Sequence, residues 1–310
     1  MMHSLAKVHV ILGSGTVGTK LAFKLAKSGD EVLVVTRSGT GPEISNVRRL
    51  KADASSFSSL KNAAPKADFV YNCVNPPYNK WDELWPTINK AVIEFVASNN
   101  AILVTCSNLY GYGPHNGILT EDLPLLAKFK NGRVRAEMWL EVNSQHELGK
   151  IRATEVRGSD YICASEQSRM GDRIVPRLKN GKAIQLLGAL NQPHSWTDPD
   201  DVAELMMAVA TNQHAWGKPW HVPSNAPKSQ LEVIQDIAAE LEIAKIKVSE
   251  VPAPIEKILS LFNPVIRELR ETNYQFNNPF VMSDAKARTT FGLEPKPWNS
   301  VIKDLVTEYS

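Results

Sequence analysis

The chain has 310 residues, 43% hydrophobic and 22% charged, which suffices for a buried core in one large α/β unit or such a unit with a small companion. Its 35 Lys and Arg against 33 Asp and Glu give a formal net charge of +2 with no long basic run, so composition speaks against a nucleic-acid surface. Three cysteines, Cys73, Cys106 and Cys163, lie in or beside apolar stretches without any CxxC or Cys/His cluster. Neither a disulfide framework nor a metal site is expected, and free thiols suit a reducing cytoplasm.

The N-terminal segment reaches a glycine loop after one short apolar run, too short for a signal peptide or a membrane span, so a soluble cytoplasmic protein is expected. Val8–Leu12 reads as a buried strand and Gly15–Ser28 as a helix with Leu21, Ala22, Leu25 and Ala26 on one face. Strands follow at Glu31–Val35, Val47–Ala52, Phe69–Cys73, Ala101–Cys106 and Ile151–Val156. Helices near Ser56–Ala63, Trp85–Ala97 and Gly132–Leu148 alternate with them. That alternation predicts an α/β fold: a Rossmann-type, doubly wound parallel sheet with a smaller C-terminal α/β substrate lobe. The core is expected over 1–160 with returning segments about 184–222 and 278–284, and the lobe over about 161–183 and 223–310. In the lobe, helices are predicted at Gln230–Leu241, Ile255–Arg270 and Ser300–Tyr309, and a short strand at Lys245–Val251. The Ile255–Arg270 helix carries Ile258, Leu261, Phe262 and Ile266 on one face, which could line a substrate side. No internal repeat or low-complexity segment interrupts the pattern.

Gly13, Gly15 and Gly18 have G-x-G-x-x-G spacing directly after the first strand and before the first helix. In that context the first glycine permits a tight turn, the second lets backbone amides approach a pyrophosphate, and the third allows close helix–strand packing. Ser14, Thr16 and Val17 complete the loop. An NAD-binding strand end usually carries Asp or Glu for the ribose hydroxyls, whereas this chain has Thr36-Arg37-Ser38. No carboxylate stands there to repel a 2′-phosphate, and Arg37 offers a fixed charge with a bidentate fork. NADP(H) is therefore the expected coenzyme, with NAD(H) the alternative.

Several further segments give the chain its resemblance to the extended short-chain dehydrogenases/reductases, the superfamily of NAD-dependent epimerases and dehydratases. Ala52-Asp53-Ala54 resembles the segment whose Asp contacts adenine, and Cys73-Val74-Asn75-Pro76-Pro77 the stretch packed against the coenzyme's ribose and pyrophosphate. Thr105-Cys106-Ser107-Asn108-Leu109-Tyr110-Gly111 is similar to the family's Ser-Ser-x-x-x-Tyr-Gly, and Arg157-Gly158-Ser159-Asp160-Tyr161 to the segment beside the nicotinamide. The run His194–Ala203 resembles a returning family element. The resemblance implies Gly13, Ser14, Gly15, Thr16, Val17, Gly18, Thr36, Arg37, Ser38, Asp53, Asn75, Pro76, Pro77 and Arg135 as the coenzyme site.

The family's Tyr-x-x-x-Lys is absent: Asn131 falls where Tyr would be and Arg135 where Lys would be. The resemblance thus implies an atypical member with a different proton donor. The catalytic candidates are Tyr112, Asp160, Asn108 and Arg135, with Asp160 able to serve as an acid if burial raises its pKa. Tyr78, Trp81, Tyr110 and Tyr161 are the candidate pocket walls. His9, inside the first strand, reads as a satisfied core histidine, and His115 and His194 as loop or structural residues. The expected function is an NADP(H)-dependent oxidoreductase acting on a small carbonyl or alcohol. The alternatives are a sugar-nucleotide epimerase or dehydratase, which normally needs the missing Tyr, and a non-enzymatic NADP(H) sensor of NmrA type. The oligomeric state is left open by the sequence; the resemblance implies that a homodimer, if formed, would use the Trp85–Ala97 and Gly132–Leu148 helices, and no nucleic-acid or membrane partner is expected.

Overall fold

The first strand, β1 (Val8–Leu12), is five consecutive buried residues, which is possible only when both faces of a sheet are covered. In the computed structural model, which describes residues 6–252, 254–255, 261–262 and 270–310, it lies in the interior of a seven-stranded sheet, between β2 and β4. With β2 (Glu31–Thr36), β3 (Val47–Lys51), β4 (Phe69–Asn72), β5 (Ile102–Asn108), β6 (Arg152–Gly158), β7 (Asp160–Tyr161), β8 (Ile184–Leu186), β9 (Trp196–Thr197), β10 (Pro219–His221) and β11 (Val248–Glu250), the sheet order is β10-β6-β5-β4-β1-β2-β3. The pairs β3–β2, β2–β1, β1–β4 and β4–β5 are all parallel. Strand order reverses between β1 and β4, and in such sheets ligands bind beyond the carboxyl ends of the strands at that point. β3 is an edge strand and carries its charges accordingly: Arg48, Arg49 and Lys51 are exposed.

The chain divides into two compact units. The first comprises Met1–Gly111, Lys130–Arg157 and Val202–Trp220. Its helices are α1 (Thr16–Leu25), α2 (Phe57–Ala63), α3 (Trp81–Asn99), α4 (Lys130–Glu147) and, from Val202 on, the helix Pro199–Thr211. Helix α3 begins a turn earlier than the sequence suggests. The chain is already helical at Trp81, and Pro86 lies inside the helix. His9 is buried between Tyr71 Oη (3.1 Å) and Asp30 Oδ2 (3.2 Å), as a satisfied core histidine should be.

The second unit comprises Tyr112–Phe129, Gly158–Asp201 and His221–Ser310. Here the segments 184–201 and 278–284, expected with the Rossmann core, group with the C-terminal lobe. Ser195 N donates to Phe280 O, Met282 N to Ser195 Oγ, and His194 stacks on Phe276 and Phe280. Its apolar core gathers Met170, Ile174, Leu178, Trp196, Val233 and Ile237 with Leu305. The short pairs β7–β9 and β8–β11 are parallel. Two further helices of the fold are α5 (Val175–Lys179) and α6 (Pro199–Thr211), and α7 (Gln230–Glu240) is opened by a reciprocal capping box between Ser229 and Glu232. The last helix runs Trp298–Thr307, two residues ahead of the expected Ser300. Of the predicted Ile255–Arg270 helix, Ile258 and Ile266 lie outside the described residues, and Leu261 and Phe262 are exposed. No helix among the described residues is long and apolar enough to cross a membrane.

Candidate dinucleotide site and other polar clusters

The glycine loop has a distinct reason for each of its three glycines. Gly13 has φ +97°, and a Cβ there would stand 2.6 Å from Cys73 O. Gly18 lets α1 cross β1 closely: its Cβ would lie 2.1 Å from Gly13 O. Gly15 has ordinary extended φ (−71°), and a Cβ there would meet nothing within 4 Å. The fold therefore needs Gly13 and Gly18, while the space over Gly15 is left open at the N-terminus of α1. In dinucleotide-binding folds an open turn of this kind at a helix N-terminus is where backbone amides and the positive helix end receive a pyrophosphate. Thr19 Oγ1 donates to Ser14 O (2.9 Å), and Gly41 lies against Ser14 Cβ, fixing the loop from behind. Thr16 and Val17 form the first turn of α1, Val17 buried.

At the end of β2 the expected hydroxyls are built into a turn. Thr36 Oγ1 donates to Thr40 O (2.7 Å), Ser38 Oγ and Thr40 Oγ1 share a hydrogen bond (2.6 Å), and Gly39 closes the turn with φ +74°. Arg37 is exposed and makes no ion pair among the described residues. Asp53 Oδ1 accepts from Ser55 N (2.9 Å) and Ser55 Oγ (2.7 Å). Those two bonds, with the nearby Arg37 charge, hold its carboxyl below the ordinary range. Past β4, Asn75 and Pro77 are exposed, while Pro76 is buried and its carbonyl accepts from Trp81 Nε1 (3.1 Å).

Four of the residues singled out in the sequence come together in the first unit. Tyr78 meets Trp81 edge-on at 4.9 Å between centroids and Tyr110 at 6.4 Å, and Trp81 lies 6.2 Å from Tyr110. The Arg135 guanidinium lies between the indoles of Trp81 (4.4 Å) and Trp85 (4.6 Å). Asn131 is buried and donates from Nδ2 to Tyr78 O (3.3 Å). Asn108 is half-buried, and its Oδ1 accepts from Tyr110 N (3.1 Å), a local turn bond. Beside this cluster β6 buries an ion pair the sequence reading did not single out, Arg157 Nε to Glu155 Oε1 at 2.6 Å with both side chains 3% exposed. Burial pushes the Glu155 carboxyl up, opposed by Arg157, by Arg135 and by a hydrogen bond from Ser107.

In the second unit Tyr112, 3% exposed, shares a 2.8 Å hydrogen bond with His221 Nε2. His221 Nδ1 faces Ser283 O at 2.8 Å. A carbonyl only accepts, so Nδ1 carries the proton and Nε2 of the neutral ring accepts from the Tyr112 hydroxyl. His221 lies 109 residues from Tyr112, and no local pattern announces the pair. Asp160 Oδ2 lies 3.0 Å from His194 Nε2, and His194 Nδ1 faces Gln275 O at 3.1 Å. Burial pushes the Asp160 carboxyl up, but the His194 hydrogen bond and charge, with Arg169, outweigh it, and its pKa falls below the ordinary range. The burial-raised acid foreseen for Asp160 is thus replaced by an ionised carboxylate. Tyr161 is half-buried, and its carbonyl accepts from Ser168 Oγ (2.8 Å). No group of three His, Cys, Asp or Glu placed to hold a metal occurs among the described residues.

A strand–glycine turn–helix at the reversal point of a parallel sheet, with an open second glycine, defines a Rossmann-type dinucleotide-binding fold. The chain belongs to the NAD dependent epimerase/dehydratase family, which it matches over residues 9–222. No curated protein matches it. Among solved structures it is similar to an epimerase from Methanothermobacter thermautotrophicus (18% identity, TM-score 0.82, covering 98% of this chain and 92% of that one). It also resembles a dTDP-glucose 4,6-dehydratase from Bacillus anthracis in complex with NAD (16%, TM-score 0.78, 98% and 96%). A third similar structure is the UDP-glucose 4-epimerase of Thermotoga maritima with UDP-glucose (11%, TM-score 0.79, 97% and 98%). At these identities the likeness speaks to the fold.

Proposed function

We propose that this chain is an NADP(H)-binding oxidoreductase of the family, acting on a small carbonyl or alcohol. The observation that carries the coenzyme choice is the end of β2, where Thr36 stands in place of a carboxylate and the next residue, Arg37, is exposed without an ion-pair partner among the described residues. The backbone of Gly13–Gly18 and the α1 N-terminus would hold the pyrophosphate, Arg37 the 2′-phosphate, Asp53 the adenine, and the segment Asn75-Pro76-Pro77 the intervening ribose. When bound, the coenzyme supplies or accepts the hydride.

The chain's own proton chemistry is assigned to Tyr112. In the oxidising direction the substrate hydroxyl proton passes to the Tyr112 oxygen as the Tyr112 proton passes to His221 Nε2, and His221 becomes imidazolium. In the reducing direction the same protons move back. His221 keeps its Nδ1 proton on Ser283 O throughout, so one tautomer is available for the exchange. Arg135, held between two indoles, is assigned a positioning role in the aromatic cluster and not the ribose contact that the family's Lys makes.

Titration calorimetry with NADPH and with NADH tests the coenzyme assignment. Wild type should prefer NADPH, and Arg37→Asp should weaken it by about 10-fold or more while leaving NADH unchanged or improved. Preference for NADH would overturn it. Tyr112→Phe should then lower kcat while coenzyme affinity stays constant. A second reading, a sugar-nucleotide epimerase or dehydratase, is favoured by the family match and by the names of the similar structures. Conversion of a UDP- or dTDP-sugar without net coenzyme turnover would establish it over the first. Tight coenzyme binding with no turnover of either substrate class would favour the sensor.

A further inference from the structure

We infer that Lys51 is a second cation for the coenzyme's 2′-phosphate and shares the specificity role with Arg37. This rests on the reading that NADP(H) binds at the glycine loop. Strands β2 and β3 are parallel with Thr36 directly beside Lys51, and residues in register on neighbouring strands present their side chains to the same face. Thr36 is the position at which an NAD-binding chain places its ribose carboxylate. Lys51 therefore flanks the place where the 2′ substituent would arrive. The turn that carries Arg37 is also seated on Lys51: a Cβ at Gly39 would stand 3.1 Å from Lys51 Cβ, so turn and lysine are packed as one unit.

Charge at this edge singles out the same two residues. Arg48 is tied to Glu31 at 2.7 Å and Arg49 to Glu43 at 3.1 Å. Arg37 and Lys51 are exposed and have no ion-pair partner among the described residues. Arg37 also acts on Asp53, whose carboxyl it helps to depress, so part of its field is already balanced within the protein. A phosphate monoester carries about 1.5 to 2 negative charges at pH 7. One partly balanced arginine falls well short of neutralising it, and Lys51 adds the second positive charge that brings the site closer to balance.

The experiment is calorimetry on the full chain with NADPH, NADH, adenosine 2′,5′-bisphosphate and 5′-AMP, for wild type, Lys51→Gln and Arg37→Gln. Lys51→Gln should weaken NADPH and the 2′,5′-bisphosphate by about 5- to 10-fold and leave NADH and 5′-AMP unchanged. It should also make NADPH affinity less salt-dependent, and Lys51→Arg should restore it. An exposed edge lysine contributes little to the fold, so the melting temperature should not move. If Lys51→Gln binds NADPH like wild type while Arg37→Gln is weakened, or if it loses NADPH and NADH equally, the Lys51 assignment is overturned with the coenzyme reading intact. A wild type without any preference for the 2′-phosphorylated ligands overturns that reading and the inference with it.

Discussion

Alanine at Gly15 and alanine at Gly18 should separate coenzyme binding from folding. At Gly18 a Cβ would lie 2.1 Å from the Gly13 carbonyl oxygen. Ordinary contact begins at about 3.4 Å, so α1 must withdraw from β1 by more than an ångström. Overpacking of this kind costs about 1–3 kcal/mol. At roughly 2–4 °C per kcal/mol for a domain of this size class, Gly18→Ala should melt on the order of 5–10 °C below wild type. At Gly15 the backbone is already extended and the Cβ meets nothing. Alanine is a poorer N-cap than glycine, but it also restricts the unfolded chain, worth about 0.4–1 kcal/mol, and the two effects nearly cancel. Gly15→Ala should therefore melt within about 2 °C of wild type. Its methyl group instead occupies the space assigned to the pyrophosphate. The same 1–3 kcal/mol of overpacking then falls on the complex, a loss of about 10- to 100-fold in affinity. Differential scanning fluorimetry gives the melting temperatures and calorimetry with NADPH the affinities. A Gly15→Ala protein that is equally stable and binds NADPH as tightly as wild type would refute the assignment of this loop.

Three further expectations follow from buried polar groups. Burial first, and the charges of Asp198 and Asp200 after it, push the Asp201 carboxyl up to about 7, against the pull of the Lys296 backbone amide and ammonium. A carboxyl whose folded pKa exceeds its unfolded value near 3.9 takes up a proton on folding, so stability falls as pH rises from about 4 to about 7. Asp201→Asn should raise the melting temperature at pH 8, by at most about 4 kcal/mol in stability, with a gain that shrinks at pH 5; a pH-independent effect would contradict this. Thr105 Oγ1 is buried with no hydrogen-bond partner among the described residues, so Thr105→Val should be neutral or stabilising by about 1 kcal/mol in urea unfolding, and a marked loss would mean the hydroxyl is satisfied. Ser229→Ala removes the side-chain half of the α7 capping box and should cost about 1 kcal/mol by the same measurement.

The sheet was legible because strands covered on both faces must be largely apolar, and β1, β2 and β4 are so apart from His9 within β1 and polar residues at the ends of β2 and β4. The glycine loop was legible because its constraints act within six residues of chain. What escaped the sequence reading depends on distant pairings. Nothing near His221 points to Tyr112, and nothing near Lys51 distinguishes it from Arg48 and Arg49 until their acidic partners are seen. Helices start at Trp81 and Trp298, four and two residues ahead of the expected Trp85 and Ser300, because Lys80 and Pro297 precede them and no Ser, Thr, Asp or Asn cap marks either entry. For Asp160, sequence could suggest burial but not its ring partner, and the partner decides the sign of the pKa shift.

The two departures from the family's catalytic motif belong to one rebuilt cluster. Trp81 and Trp85 are four residues apart on α3 and so share a face, with their rings edge-on at 6.4 Å and the Arg135 guanidinium over both. A flat, delocalised guanidinium lies well against indole faces, and a compact, strongly hydrated ammonium does so poorly. Arginine at 135 thus goes with the tryptophans, and Glu155 nearby supplies the opposing charge within the same unit. Asn131, one turn earlier on α4, is turned to the Tyr78 carbonyl, which joins the helix to the aromatic cluster by a hydrogen bond. Neither side chain offers a titratable proton near neutral pH: an amide does not ionise in this range and a guanidinium does not lose its charge. The proton chemistry proposed for the chain therefore rests on a hydroxyl that already has a hydrogen-bond partner for its proton, that of Tyr112 on His221 Nε2.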